Sequence, residues 1–202
     1  MIEAYFRPFY QKMLGNPMAL FLGKFFSPNG VTLLSILTGI GIVPTLLYDQ
    51  DALAFGLLIF SGLFDTLDGT VARLYQKSSP LGTVVDIVGD RIVEFAILLS
   101  LFLVDPDSRS LSCFIMLGSV LICVTSFLVV GIFSENTSHK SFHYSPGFIE
   151  RPEAFVFFGA MILCPDFFHF LAILFSFLVF LTAFLRLVEF KRSCSVLRNA
   201  TS

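Results

Sequence analysis

Asp65-Thr66-Leu67-Asp68-Gly69-Thr70-Val71-Ala72-Arg73, followed after eight residues by Gly82-Thr83-Val84-Val85-Asp86-Ile87-Val88-Gly89-Asp90, is the stretch on which the fold turns. Four carboxylates fall within 26 residues, at the ends of two segments that otherwise have the composition of membrane spans. An ionisable group inside a bilayer is costly and by default marks a functional site.

The chain around this stretch is apolar. Of its 202 residues, 55% are AVILMFWYC, 26 are Phe and only 14% are charged, and mean hydropathy is +0.84. A soluble domain carries about 25% charged residues, so this composition excludes a water-soluble body and indicates an all-α, polytopic membrane protein. A net charge of -2 without a basic block gives no footprint for nucleic acid. The opening residues, Met1-Ile-Glu-Ala-Tyr-Phe-Arg-Pro, lack the layout of a signal peptide. Cys113, Cys123, Cys164 and Cys194 show neither CxxC nor metal-ligand spacing and are expected as free thiols.

A spanning helix needs about 20 mostly apolar residues. Six candidate transmembrane helices result, at 29–48, 52–73, 81–104, 111–133, 151–164 and 167–189. The expected organisation is a single membrane domain: an N-terminal amphipathic interfacial segment over 1–28, a six-helix bundle over 29–190 and a tail over 191–202. Pro8 and Pro17 prevent one long regular helix in the first segment.

Positive charges orient the chain. Arg7, Lys12 and Lys24 precede the first span, and Arg73 and Lys77 lie in the second connection. Lys140 and Arg151 flank the fourth connection, and Arg186, Lys191, Arg192 and Arg198 lie at the end. The odd-numbered connections contain only Arg109. The positive-inside rule puts both termini and the even connections in the cytoplasm. All five tyrosines fall away from the span centres, as interfacial belts prefer.

On a helix, residues three or four apart share a face. Asp65, Asp68, Gly69 and Ala72 form one stripe, and Gly82, Asp86 and Asp90 another. Two antiparallel helices joined by a short connection can turn these stripes toward each other, gathering four carboxylates in one pocket. Clustered carboxylates cannot all ionise without compensation. Hard divalent cations, Mg²⁺ or Mn²⁺, supply it through oxygen ligands shared with substrate phosphates. Two such ions can clamp a phosphoryl centre. Gly69, Ala72 and Gly82 suit close approach of a bulky ligand, and Arg73 can neutralise a second phosphate, so the set suits a diphosphate.

The pattern D-x2-D-G-x2-A-R-x8-G-x3-D-x3-D, complete from Asp65 to Asp90, resembles the defining motif of the CDP-alcohol phosphotransferases. Ser27-Pro28-Asn29-Gly30-Val31-Thr32 is similar to that family's Pro-Asn-x-x-Thr element. The resemblance implies that Asp65, Asp68 and Asp86 bind two divalent ions, with Asp65 and Asp86 bridging. It implies that Asp90 contacts the second ion and serves as general base. Gly69 and Arg73 would meet the CDP moiety, Ser79 its phosphates, and Asn29 and Thr32 the nucleotide pocket. The implied reaction moves the phosphatidyl group of CDP-diacylglycerol to a small polar alcohol with release of CMP. The resemblance also implies a homodimer, and a cell-membrane enzyme whose active site faces the cytoplasm.

For the acceptor, Lys140, Arg151 and Arg186 are candidate contacts to a phosphorylated alcohol such as inositol phosphate or glycerol 3-phosphate; Arg186 can equally snorkel to the interface. Gly89-Asp90-Arg91 looks more like the phosphatidylinositol-phosphate branch, since phosphatidylglycerophosphate synthases usually place Ala-Asp-Lys there. Arg91 and Glu94 can form an intrahelical ion pair. His139 and His143, four apart, could bind a metal or simply be solvated; His169 has no assigned role. The Phe-rich face from Phe168 to Phe184 serves lipid contact and helix packing. Beside this assignment stand a non-catalytic assembly protein that retains the pocket and two further alternatives. One is an ion-coupled transporter using its acids as a relay, although paired, interrupted halves are not visible. The other is an aminoalcohol phosphotransferase acting on diacylglycerol, whose relatives are longer chains.

Overall fold

The computed structural model describes residues 15–133, 149 and 151–200, with side chains described through Arg192. Residues 1–14 of the expected interfacial segment, together with Lys140, His139 and His143, lie outside the described residues. The elements are α1 (Asn16–Leu22), α2 (Pro28–Leu47), α3 (Asp51–Leu74), α4 (Pro80–Val104), α5 (Pro106–Phe133), α6 (Arg151–Leu163), a 3₁₀ turn (Pro165–Phe167) and α7 (Phe168–Ala200). No strand occurs among the described residues.

Local sequence sets the helix ends. Ser27-Pro28-Asn29-Gly30 and Ser79-Pro80-Leu81-Gly82 start α2 and α4 in the same way. Each serine Oγ accepts a hydrogen bond from the glycine N–H three residues on, at 3.2 and 3.0 Å. Each proline takes the first helical position, where no N–H is needed. α2 and α3 close alike at the other end. Gln50 N–H donates to Thr45 C=O and Lys77 N–H to Ala72 C=O, both at 2.9 Å, with Asp49 (φ 56°) and Gln76 (φ 54°) in the left-handed conformation that this closure requires.

The chain is an all-α, multi-pass membrane protein. α2, α3, α5 and the segment Pro165–Arg192 are each long and apolar enough to cross a bilayer. The acids interrupt the apolar surface of α4. The 13 residues of α6 rise only about 20 Å against a hydrocarbon core of about 30 Å. Two expected boundaries shift. The fourth helix begins at Pro106 rather than 111, because Asp105 Oδ1 accepts from Ser108 N–H at 3.2 Å and Pro106 follows it. Arg109 therefore belongs to α5, where Nη1 donates to Leu101 C=O at 3.3 Å and the guanidinium lies 4.5 Å over the Phe168 ring. The last helix continues to Ala200, through most of the stretch expected as a tail.

α2 packs most extensively on α3 and α4, and α5 on α7. The main core joins Ile42, Leu58, Val93, Ile97, Met116, Phe158 and Phe175, all nearly inaccessible. The outward surfaces are also apolar, with Phe114, Phe177 and Phe184 exposed, as expected where hydrocarbon replaces water. On α7 the Phe-rich stretch divides: Phe168 and Phe175 are buried, whereas Phe170, Phe177 and Phe184 face outward. α1 docks on α3 through buried Ala19, with Tyr75 Oη donating to Leu20 C=O at 3.1 Å, while Phe21 and Phe25 stay exposed.

Close helix approach needs small residues, since association in lipid rests on van der Waals packing. α2 and α4 cross at Gly39 and Gly89. A Cβ on Gly89 would stand 2.8 Å from Ile36 Cδ1, and one on Gly39 2.7 Å from the Val93 methyls. Gly89→Leu is expected to force the helices apart and to destabilise the protein by about 1–3 kcal/mol through overpacking. Thermal unfolding in detergent checks this, and an unchanged midpoint would show that the crossing is slack.

Candidate active site

The acids meet where α3 ends and α4 begins, because the five residues Tyr75–Ser79 return the chain antiparallel. Carboxylate oxygens of Asp65, Asp68 and Asp86 lie within 4.8 Å of one another. Asp68 is 5% exposed and accepts at Oδ2 from Thr32 Oγ1 at 2.6 Å. Thr32, expected at the nucleotide, thus also fixes the deepest acid from α2. Asp90 lines the same cavity one turn below Asp86.

Arg151, the first residue of α6, enters this cluster. Its Nη1 is 2.9 Å from Asp65 Oδ1 and is also ion-paired with Asp90 Oδ1. Its guanidinium lies 5.3 Å from the centre of the Phe155 ring, one turn along α6. Expected as an acceptor contact, Arg151 is a counter-ion of the acids in this structure. Arg91 pairs with Glu94 at 2.5 Å, the intrahelical pair expected from spacing, and approaches Asp90 at 3.8 Å.

Two cavities share the acids. The smaller, about 270 Å³, is lined by Asn29, Thr32, Asp68, Gly69, Arg73, Ser79, Gly82 and Asp86 among others. The capped N-termini of α2 and α4 both open on it, and helix N-termini favour anions. Their proximity is tight: a Cβ on Gly82 would lie 3.3 Å from Asn29 Oδ1. Arg73 folds over Gly69, where a Cβ would meet Nη1 at 3.4 Å, and Nη2 donates to Thr70 Oγ1 at 3.2 Å. All five residues expected at the nucleotide therefore border one space.

The larger cavity, about 780 Å³, runs from Asp65, Asp86, Asp90 and Arg151 down between α3 and α6, past Phe55, Ile59, Gly62, Phe155, Gly159 and Leu163. Its wall is a reciprocal pair of contacts. Phe155 lies over Gly62 and Phe55 over Gly159, where added Cβ atoms would stand 3.1 and 2.8 Å from the rings. These cleft residues did not come from the sequence analysis. Gly62 and Gly159, small residues within apolar helices, are the signal that could have found them.

Arg186 does not line either cavity. Its Nη1 donates to Cys123 C=O at 3.0 Å and Ser126 Oγ at 3.3 Å, and the guanidinium lies 5.1 Å from the Phe127 ring centre. It thus ties α7 to α5. His169 is held between Ser108 Oγ (3.0 Å, to Nε2) and Ser112 Oγ (3.1 Å, to Nδ1), a structural setting. Cys113, Cys123 and Cys164 are free thiols; the Cys194 side chain lies outside the described residues.

An all-oxygen, three-carboxylate cluster open to a phosphate-sized cavity fits Mg²⁺ or Mn²⁺, which favour carboxylate oxygens and retain sites for water and phosphate.

Comparison with known proteins agrees with this geometry. The model of the CDP-alcohol phosphatidyltransferase family matches residues 25–188. The bifunctional IPC transferase and DIPP synthase of Archaeoglobus fulgidus is 34% identical over 140 residues, covering 68% of this chain and 28% of that protein. The archaetidylinositol phosphate synthase of Aeropyrum pernix is 36% identical over 87 residues, covering 43% of this chain and 45% of the other. The chain thus spans less than half the length of these curated relatives. Phosphatidylinositol phosphate synthase of Mycobacterium tuberculosis shares the fold in two crystal structures. With CDP-DAG bound, the TM-score is 0.70 at 22% identity, covering 88% of this chain and 93% of that one. With manganese and citrate it is 0.71 at 21% identity, covering 88% of each.

Proposed function

Because the chain belongs to the CDP-alcohol phosphatidyltransferase family, we propose that it transfers the phosphatidyl group of CDP-diacylglycerol to a small polar alcohol and releases CMP. One observation carries this reading. A three-aspartate cluster stands between an anion-favouring cavity at two helix N-termini and an apolar cleft about 780 Å³ in volume. A lipid joined to a nucleotide through a diphosphate has the same three parts in the same order.

Asp65, Asp68 and Asp86 would hold two divalent ions, with Asp90 at the second. When bound, such ions neutralise phosphate charge and stabilise the entering and departing oxygens. Asn29, Gly69, Arg73 and Ser79 bind the CDP moiety, with Thr32 holding Asp68 in register. The cleft between α3 and α6 takes acyl chain, which sets the lipid-side phosphorus beside the acids. Asp90 accepts the hydroxyl proton of the acceptor as its oxygen bonds to that phosphorus. The bond to the CMP oxygen breaks, and CMP leaves as the phosphate monoester. Phosphoryl transfer asks mainly for such positioning and charge neutralisation.

The acceptor in this proposal is a phosphorylated alcohol, with inositol phosphate ahead of glycerol 3-phosphate. Gly89-Asp90-Arg91 supports that order, as do the inositol-phosphate enzymes among the relatives. Lys140 and Arg151 are the proposed contacts to its phosphate; Arg186, tied to α5, would serve only after leaving those bonds.

The proposed topology is a single membrane domain of six spans, working as a homodimer in the cell membrane with the site and both termini cytoplasmic. Charge at the two ends supports the orientation. Among the described residues, Arg73, Lys77, Arg151, Lys191 and Arg192 share the end that carries the site, while Arg109 lies at the other.

Purified protein given labelled CDP-diacylglycerol and a panel of alcohols is expected to release CMP only with Mg²⁺ or Mn²⁺ and an acceptor. The lipid product, weighed by mass spectrometry, is expected to carry an inositol phosphate headgroup. Product formed with chelator present would overturn the metal assignment, and a glycerophosphate headgroup would overturn the acceptor order.

A further inference from the structure

We propose that Arg151 is a built-in counter-cation that competes with divalent ions for the acid cluster, so that metal loading displaces it from Asp65 and Asp90. The inference rests on the metal-dependent reading above and concerns what the protein's own residues do before ions arrive.

Three observations carry it. First, Asp65 is common to both sets: it belongs to the cluster of three aspartates and is also Arg151's partner at 2.9 Å. Second, Arg151 bridges from Asp65 on α3 to Asp90 on α4, the two helices that supply the acids. A guanidinium suits that task, since it keeps its charge, and here Nη1 alone meets both carboxylates. Third, the side chain is held in place from behind. Its guanidinium lies 5.3 Å from the Phe155 ring centre, and that ring lies over Gly62, where a Cβ would stand 3.1 Å away. A glycine at 62 thus makes room for the ring against which Arg151 stacks, with cation–π attraction favouring the arrangement.

A guanidinium and a divalent ion on one carboxylate repel each other, so each weakens the other's hold there. Arg151 lets the protein fold and persist with its acids compensated, and it weakens metal affinity by the same interaction. Freed from the acids, the guanidinium remains at the cavity wall, where an anionic acceptor would next be received. Metal and acceptor phosphate would then favour each other's binding, as linkage requires.

The test uses metal-stripped full-length protein in nanodiscs, titrated with MnCl₂ by calorimetry, with melting in EDTA read in parallel. Arg151→Gln is expected to bind Mn²⁺ about tenfold or more tightly than the parent, the order set by removing one unit charge about 5 Å away. It is also expected to melt at lower temperature in EDTA. Arg151→Lys retains the charge and is expected to stay near parental affinity. Phe155→Leu leaves every charge in place and is expected to give a smaller tightening, which decides the matter if Arg151→Gln does not fold. Unchanged or weaker Mn²⁺ binding in Arg151→Gln and Phe155→Leu, with normal binding in the parent, overturns the counter-cation and leaves the metal site standing. Mn²⁺ binding to none of the proteins overturns both, and binding untouched by Asp65→Asn overturns the competition at Asp65.

Discussion

Asp65→Asn is expected to lower CMP release by about 10²–10³-fold, equivalent to about 3–4 kcal/mol of lost transition-state stabilisation. The residue stands at the junction of the site. It closes the three-aspartate cluster with Asp68 and Asp86 and meets Arg151 from the opposite side. An amide keeps the shape but removes the charge that favours a cation, so divalent affinity is expected to fall with activity. Calorimetric titration with Mn²⁺ beside a CMP-release assay checks both. Retained metal affinity with lost activity would instead give Asp65 a role on the substrate. Full activity would remove it from the site altogether.

Asp90→Asn is expected to separate chemistry from binding. A positioned general base contributes about 10²–10⁴-fold, and kcat is expected to fall within that range while CDP-diacylglycerol still binds. Asp90 lines the large cavity but stands outside the group of three acids, which is why its loss should spare the nucleotide end. Its Oδ1 is ion-paired with Arg151 in the structure, and release of that pairing would raise its basicity toward a hydroxyl. Equilibrium binding of the nucleotide lipid and single-turnover kinetics test the separation. Turnover within tenfold of the parent would exclude Asp90 as the base, since that lies below the least a base supplies.

Much of the fold was legible in the chain. Apolar runs of about 20 residues gave six segments that fall on α2 to α7, with the start of α5 at Pro106 and the end of α7 at Ala200 as the two departures. Helical spacing correctly put Asp65 and Asp68 on one face and Asp86 and Asp90 on another, because i to i+4 relations are fixed by the helix itself. The errors fell where a side chain answers to something distant. Arg109 reads as a loop charge, yet it is buried against the end of α4 and the Phe168 ring. No spacing rule spans such separations.

The sequence by itself determined a membrane protein of apolar helices carrying an acid-rich pair with a short return between them. The capped starts of α2 and α4 are equally local, contacts within four residues, and the structure supplied them. Only the tertiary structure decided that Thr32 holds Asp68, that Gly62 and Gly159 open a cleft between α3 and α6, and that Arg151 enters the acids from a helix 61 residues beyond Asp90. The division has a physical cause. Local backbone geometry fixes which residues share a helix face, whereas the partner of a charge depends on which helices pack together, and that depends on the whole apolar surface at once.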